Sequence, residues 1–129
     1  MPVLDASVVA EMLTAGEYEE IAEARIFGAE NALWAPELLD AEVGSALRRA
    51  VRRGKDADQA AQSLEELRKL PIHRVSHERL TQFAWLLRDN VSFYDGLYVA
   101  LAQLLEQPLW TFDRRLARTG VDVEIEVLA

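Results

Sequence analysis

The residues in this chain best suited to chemistry are acids: Asp5, Glu42, Asp95 and Asp113. Asp5 follows the apolar pair Val3-Leu4, and Asp113 follows Leu109-Trp110-Thr111-Phe112; a helical pattern begins after each. Aspartate is a good helix N-cap, so either could be a cap and nothing more. Two acids placed alike at strand ends exceed what capping requires. Glu42 is located by helical phase. Leu39, Val43, Ala46, Leu47 and Ala50 recur at the spacing of a buried stripe, and Glu42 flanks that stripe instead of opposing it. An acid on such a margin loses hydration unless an ion pair, partial exposure or a metal compensates it. Asp95 has a structural alternative of its own, because Ser92-Phe93-Tyr94-Asp95 has the spacing of a capping box. Its helix is nonetheless apolar almost all round, through Tyr94, Leu97, Tyr98, Leu101, Leu104 and Leu105.

Gathered in one place, such acids would repel one another and raise one another's pKa values. A hard divalent cation turns that repulsion into attraction, since Mg²⁺ takes oxygen ligands and binds through carboxylates together with substrate phosphate. The matching chemistry is metal-assisted displacement at a phosphodiester. The chain carries 22 acids in all, so the types alone prove nothing.

The elements that must position them alternate. Short strands are expected at Val3-Leu4, 32–35, 72–75, 109–112 and 123–127, and helices at 7–13, 18–27, 37–53, from Asp56 to Pro71, from Ser76 to about Arg88, and at 92–106. One or two helical turns are expected over 113–118. Gly16, Gly28 and Gly54 and the prolines Pro36, Pro71 and Pro108 punctuate these segments. The pattern predicts an α/β fold, a parallel sheet with helices on both faces, in which function gathers beyond the C-terminal strand ends.

With 129 residues, half of them apolar, and no linker or repeat, a single domain over 1–129 is expected. The chain has no cysteine, which excludes disulfides and thiolate metal sites and leaves only His73 and His77 as soft ligands. The first residues lack a signal-peptide pattern and no apolar run is long enough to span a bilayer, so a cytoplasmic protein without membrane contact is expected. The net charge of −8 opposes non-specific nucleic-acid binding. Basic residues are clustered, however: Arg48, Arg49, Arg52, Arg53 and Lys55 in one segment, Arg114, Arg115 and Arg118 in another. By helical phase Arg49 and Arg53 share the Glu42 side, and Arg114 and Arg115 follow Asp113 directly. These four are the candidates for contacts to nucleic-acid phosphates, with a solvated helix face as the alternative.

Four segments occur in order: Val3-Leu4-Asp5-Ala6-Ser7, Ala35 to Val43, Tyr94 to Ala102, and Leu109 to Leu116. Together they resemble the PIN-domain ribonucleases, specifically the VapC toxins of toxin–antitoxin pairs, and the resemblance covers essentially the whole chain. It implies a five-stranded parallel sheet and an endoribonuclease in which Asp5, Glu42, Asp95 and Asp113 hold Mg²⁺ or Mn²⁺. It further implies an RNA substrate cleaved to leave a 5′-phosphate, a homodimer, and a cognate antitoxin that covers the acidic pocket. Ser7 and Thr111 fall beside the acids and are expected to support them by hydrogen bonding. Gly96 departs from the family, which more often has Ala there. Near a helix N-terminus a glycine can let a phosphate approach the backbone.

Other functions fit less well. A phosphotransferase with an aspartyl nucleophile of the haloacid-dehalogenase type needs a second Asp where Ser7 stands, and a receiver domain needs a late lysine, whereas the lysines here are Lys55 and Lys69. A non-catalytic PIN-like module that binds RNA or protein would be favoured by loss of one acid, and all four are present.

Overall fold

The computed structural model describes all of residues 1–129. Its strands are β1 (Val3–Leu4), β2 (Leu33–Pro36), β3 (Ile72–Val75), β4 (Leu109–Thr111) and β5 (Ile125–Val127), and its helices are α1 (Ala6–Leu13), α2 (Glu19–Phe27), α3 (Leu38–Arg52), α4 (Ala57–Lys69), α5 (Thr81–Leu86) and α6 (Phe93–Leu105). The five strands form one sheet in the order β3-β2-β1-β4-β5, with every pairing parallel. Parallel neighbours require crossovers. The chain crosses from β1 to β2 through α1 and α2, and from β2 to β3 through α3 and α4. It then jumps across the sheet to β4 through α5 and α6. The reversal of direction puts α1–α4 on one face and α5–α6 on the other, the arrangement that right-handed crossovers demand.

β1 therefore lies at the centre, flanked by β2 and β4, with Val3 in register with both Trp34 and Leu109. The two-residue strand is completed by main-chain bonds beyond its ends: Asp5 N–H donates to the Trp110 carbonyl at 2.9 Å, and Trp34 N–H to that of Pro2 at 3.0 Å. β1 has both faces covered, and Val3 and Leu4 are wholly buried. The core joins these to Val8, Val9, Leu39 and Val43 on one side and to Leu97, Tyr98, Leu101 and Ala102 on the other.

Local signals hold at most ends. Asp56 accepts from Asp58 N–H at 2.8 Å at the start of α4, Ser92 accepts from Asp95 N–H at 3.1 Å at the start of α6, and Gly54 takes φ +108° just past α3. One expected helix breaks. Ser76 caps a 3₁₀ turn at His77–Arg79, and α5 that follows spans only Thr81–Leu86. Leu80 and Ala84 are this segment's buried side chains, while Phe83, Trp85 and Leu86 are exposed. So narrow a packed stripe is too little to hold a longer helix. Its last turn is closed by the shorter bonds Arg88 N–H to Trp85 O and Asn90 N–H to Leu87 O. Gly96 has a packing reason: a Cβ there would lie 3.2 Å from the Ala84 carbonyl oxygen and 3.3 Å from its Cβ. Glycine lets α6 close on α5, and the phosphate-approach expectation is not needed.

Candidate metal centre

The reversal of direction lies between β1 and β4, the position where ligands bind in open α/β sheets. Asp5 immediately follows β1, and Asp113 follows β4 by two residues. There a cavity of about 540 Å³ opens, with all four of Asp5, Glu42, Asp95 and Asp113 in its wall. α3 brings Glu42, Ser45 and Arg49 to it, the first turn of α6 brings Tyr94 and Asp95, and Ser7 and Arg115 complete its polar lining.

Asp5 occupies the N-cap position of α1, yet its carboxylate makes no capping bond. It is instead held by hydroxyls. Ser7 Oγ donates to Oδ2 at 2.7 Å and Thr111 Oγ1 to the same oxygen at 2.8 Å. Each hydroxyl in turn accepts from the backbone of the β4 turn, Ser7 Oγ from Phe112 N–H at 3.0 Å and Thr111 Oγ1 from Asp113 N–H at 2.9 Å. Both hydroxyl protons are thereby committed, so the 3.3 Å Ser7–Thr111 contact is an approach and not a further bond. This chain of bonds ties the end of β1 to the end of β4 through Asp5 Oδ2. Ser7 and Thr111 thus both hydrogen-bond the Asp5 carboxylate.

Glu42 Oε1 accepts from the Tyr98 hydroxyl at 2.7 Å. Ser92 caps α6, but Asp95 does not return a bond to the Ser92 N–H, so the capping box is half formed; the Asp95 carboxylate lies beside the Ser92 hydroxyl and lines the cavity. Asp113 is a true cap. Its Oδ1 accepts from Arg115 N–H at 3.0 Å, and the Arg115 guanidinium grips the same carboxylate with Nε at 3.1 Å and Nη2 at 2.7 Å.

The electrostatics divide accordingly. Burial pushes the Asp5 carboxyl above its ordinary range, opposed by its hydroxyl donors and reinforced by Asp113. Burial also raises Glu42, with Asp5 and Asp95 adding to the effect and Tyr98 and Arg49 opposing it. Asp95 is raised by burial and then by Asp5. Asp113 alone is lowered, by its bond from Arg115. Three acids thus sit where their charged form is disfavoured, chiefly by burial and then by one another. The donor set is all oxygen and strongly anionic, which suits Mg²⁺ or Mn²⁺ and not a softer ion. No three of these side chains are drawn together as a closed metal cage. Mutual repulsion keeps unpaired carboxylates apart. His73 packs against Trp34 at 4.7 Å with the rings tilted by 31°, and neither it nor His77 lines the cavity.

The basic candidates separate. Arg49 and Arg115 line the cavity, whereas Arg53 caps the end of α3 and Arg114 turns to the Ala129 carbonyl at 3.3 Å. Tyr98 escaped sequence reasoning, which counted it with the apolar face of its helix. A tyrosine in place of phenylalanine, three residues after Asp95 in so apolar a segment, was the available signal.

Fold and site together define an α/β protein with an acidic cavity at its topological switch point. The PIN domain family matches residues 3–122, and the chain belongs to that family. Within it the relatives are VapC proteins. Ribonuclease VapC1 of Mycobacterium tuberculosis is 45% identical over 129 residues, covering 98% of this chain and 96% of that protein. Ribonuclease VapC9 of the same organism is 38% identical, covering 93% and 91%. Among solved structures, VapC20 of Mycobacterium tuberculosis, described as a sarcin-ricin loop cleaving toxin, superposes with a TM-score of 0.73 at 20% identity, covering 96% of this chain and 99% of its own. PAE2754 from Pyrobaculum aerophilum does so at 0.68 and 22% identity, covering 97% and 82%. These likenesses bear out the five-stranded parallel fold.

Proposed function

We propose that this chain is a metal-dependent endoribonuclease, the toxin of a toxin–antitoxin pair, with Asp5, Glu42, Asp95 and Asp113 holding Mg²⁺ or Mn²⁺. The observation that carries this reading is the meeting of four carboxylates from four separate segments in one cavity. Relatives named ribonuclease at up to 45% identity over almost the full chain support the choice of RNA as substrate. The bound cation would supply the positive charge that draws a phosphodiester into an acidic cavity and stabilises it during hydrolysis.

The chain's own residues do the rest. Ser7 and Thr111 fix one oxygen of Asp5 in the wall of the cavity. Arg115 and Arg49 stand at the wall to meet flanking phosphates, and Arg53 and Arg114 extend positive charge away from it. Exposed Tyr94 presents a ring beside Asp95. A strongly acidic surface of net charge −8 favours a basic segment of an antitoxin as its cover. For a homodimer, the exposed apolar side chains Phe83, Trp85, Leu86 and Phe93 are the surface to test first. No helix is long and apolar enough to cross a membrane.

The test is cleavage of single-stranded RNA by purified protein with Mn²⁺, with chelator, and by Asp5→Asn. Mapping of new 5′ ends after induction in cells then identifies the target. Cleavage that survives both the chelator and Asp5→Asn refutes the metal site. RNA binding without cleavage in any metal points to the non-catalytic module.

A further inference from the structure

Tyr98 is wholly buried in α6, at 0% exposure, and sits in the core between the helix and the sheet. Its hydroxyl makes one hydrogen bond, to Glu42 Oε1 at 2.7 Å, bridging α6 and α3 across 56 positions of sequence. Filling this part of the core requires only a phenyl ring. The hydroxyl adds a desolvated polar group that must then be satisfied. What it satisfies is a cavity carboxylate.

The choice of donor matters. Asp113 is held by a guanidinium, which neutralises the charge a cation would use. Glu42 has an arginine within electrostatic reach, Arg49, yet forms no ion pair with it. Tyrosine holds the carboxylate without supplying positive charge. The neutral phenol keeps its O–H, which is directed at Glu42 Oε1. One carboxylate oxygen is thereby tied and Oε2 has no protein hydrogen bond. A glutamate on a helix margin, with three rotatable bonds, is thus confined to the cavity and kept off Arg49.

We propose that Tyr98 is a positioning residue that sets the Glu42 carboxylate for a hard divalent cation. The proposal rests on the metal-dependent reading above, and the test keeps the two apart. Mn²⁺ binding to metal-free protein is measured by calorimetry for the parent, Tyr98→Phe, Glu42→Gln and the double variant, alongside denaturant unfolding of each. We expect Tyr98→Phe to weaken Mn²⁺ binding by about 10-fold, within the range for groups that orient ligands. Its metal-free unfolding midpoint should stay near the parent's. In the Glu42→Gln background the same change should have no further effect on Mn²⁺ affinity.

Unchanged Mn²⁺ affinity in Tyr98→Phe, or an equal loss with and without Glu42, overturns the positioning role while leaving the metal site intact. A parent that binds no Mn²⁺ overturns the functional reading and the positioning role with it. Should Tyr98→Phe not fold, Glu42→Asp supplies the test. It leaves the core untouched and keeps the charge but withdraws it from the hydroxyl. It should lose affinity by a similar factor, and parent-like binding overturns the proposal.

Discussion

The inner wall of the cavity and its rim handle negative charge in opposite ways. On the inner wall Asp5 and Glu42 are held by neutral hydroxyls, those of Ser7, Thr111 and Tyr98, and burial raises both. At the rim Asp113 is capped and clasped by the exposed Arg115, which lowers it. A neutral donor fixes geometry and leaves charge unspent; a cationic donor fixes geometry and removes it. The inner wall is therefore under tension that a cation would relieve, and the rim is already balanced.

The sharpest way to break this contrast is Asp5→Asn. Cleavage and Mn²⁺ binding should be lost, with the rate falling on the order of 10³-fold or more, as when one member of a catalytic set is removed. The metal-free protein should be as stable as the parent or more so, because a buried charge is removed. A clear loss of stability would make Asp5 a structural residue. At the rim the sign reverses: Asp113→Ala should destabilise the metal-free protein by about 1 kcal/mol through loss of its cap. Added Mn²⁺ should raise the melting temperature of the parent but of neither variant.

The pH dependence of the metal-free protein should divide in the same way. A carboxyl raised on folding binds its proton more tightly in the folded state. The stabilisation from Asp5, Glu42 and Asp95 is therefore fullest below the ordinary values of 3.8 for Asp and 4.5 for Glu, and is lost as pH rises through their raised values. Asp113, lowered on folding, contributes above 3.8 and loses its contribution as pH falls through its lowered value. Denaturant midpoints over a pH series should thus decline above the ordinary carboxyl range, and Asp5→Asn should flatten that decline. A parent-like slope in the variant would remove Asp5 as a source of tension.

Arg115→Ala is expected to act in two directions. Freeing Asp113 from its guanidinium should tighten Mn²⁺ binding several-fold, by removing an internal competitor. Removing a phosphate contact should weaken RNA binding and flatten the slope of log affinity against log salt by roughly 0.7. Binding is measured in the Asp113-intact protein for the metal. For RNA it is measured over a salt series with Mg²⁺ under single-turnover conditions. Movement of both affinities in one direction would contradict the rim as described. The smallest effect belongs to Arg48→Ala, on an exposed position outside the cavity lining. Its salt slope should match the parent's, and a shift as large as that of Arg115→Ala would move the RNA path off the cavity.

Much of this was legible in the chain alone. Strand and helix order follow from local periodicity and from caps such as Asp56 and Ser92, which operate within a few residues. The sheet and the four acids were expected from the segments that resemble the PIN family, and Ser7 and Thr111 from their places beside Asp5 and Asp113. The helix break after Ser76 was not legible. A continuous helix from Ser76 to about Arg88 was expected, and only packing against α6 decided that Leu80 and Ala84 are buried while Phe83, Trp85 and Leu86 stay exposed.

Sequence by itself determined the residue types, their local structure and the inventory of negative charge. Tertiary structure alone decided which charge meets which partner. Tyr98 reaches Glu42 because the strand order β3-β2-β1-β4-β5 puts α3 and α6 on opposite faces with their ends converging on one cavity. Arg115 closes on Asp113 while its neighbour Arg114 turns to Ala129, a choice set by the direction of a 3₁₀ turn. Periodicity reports which face of an element is buried. The contacts between distant elements depend on how those faces are stacked, which no local pattern encodes.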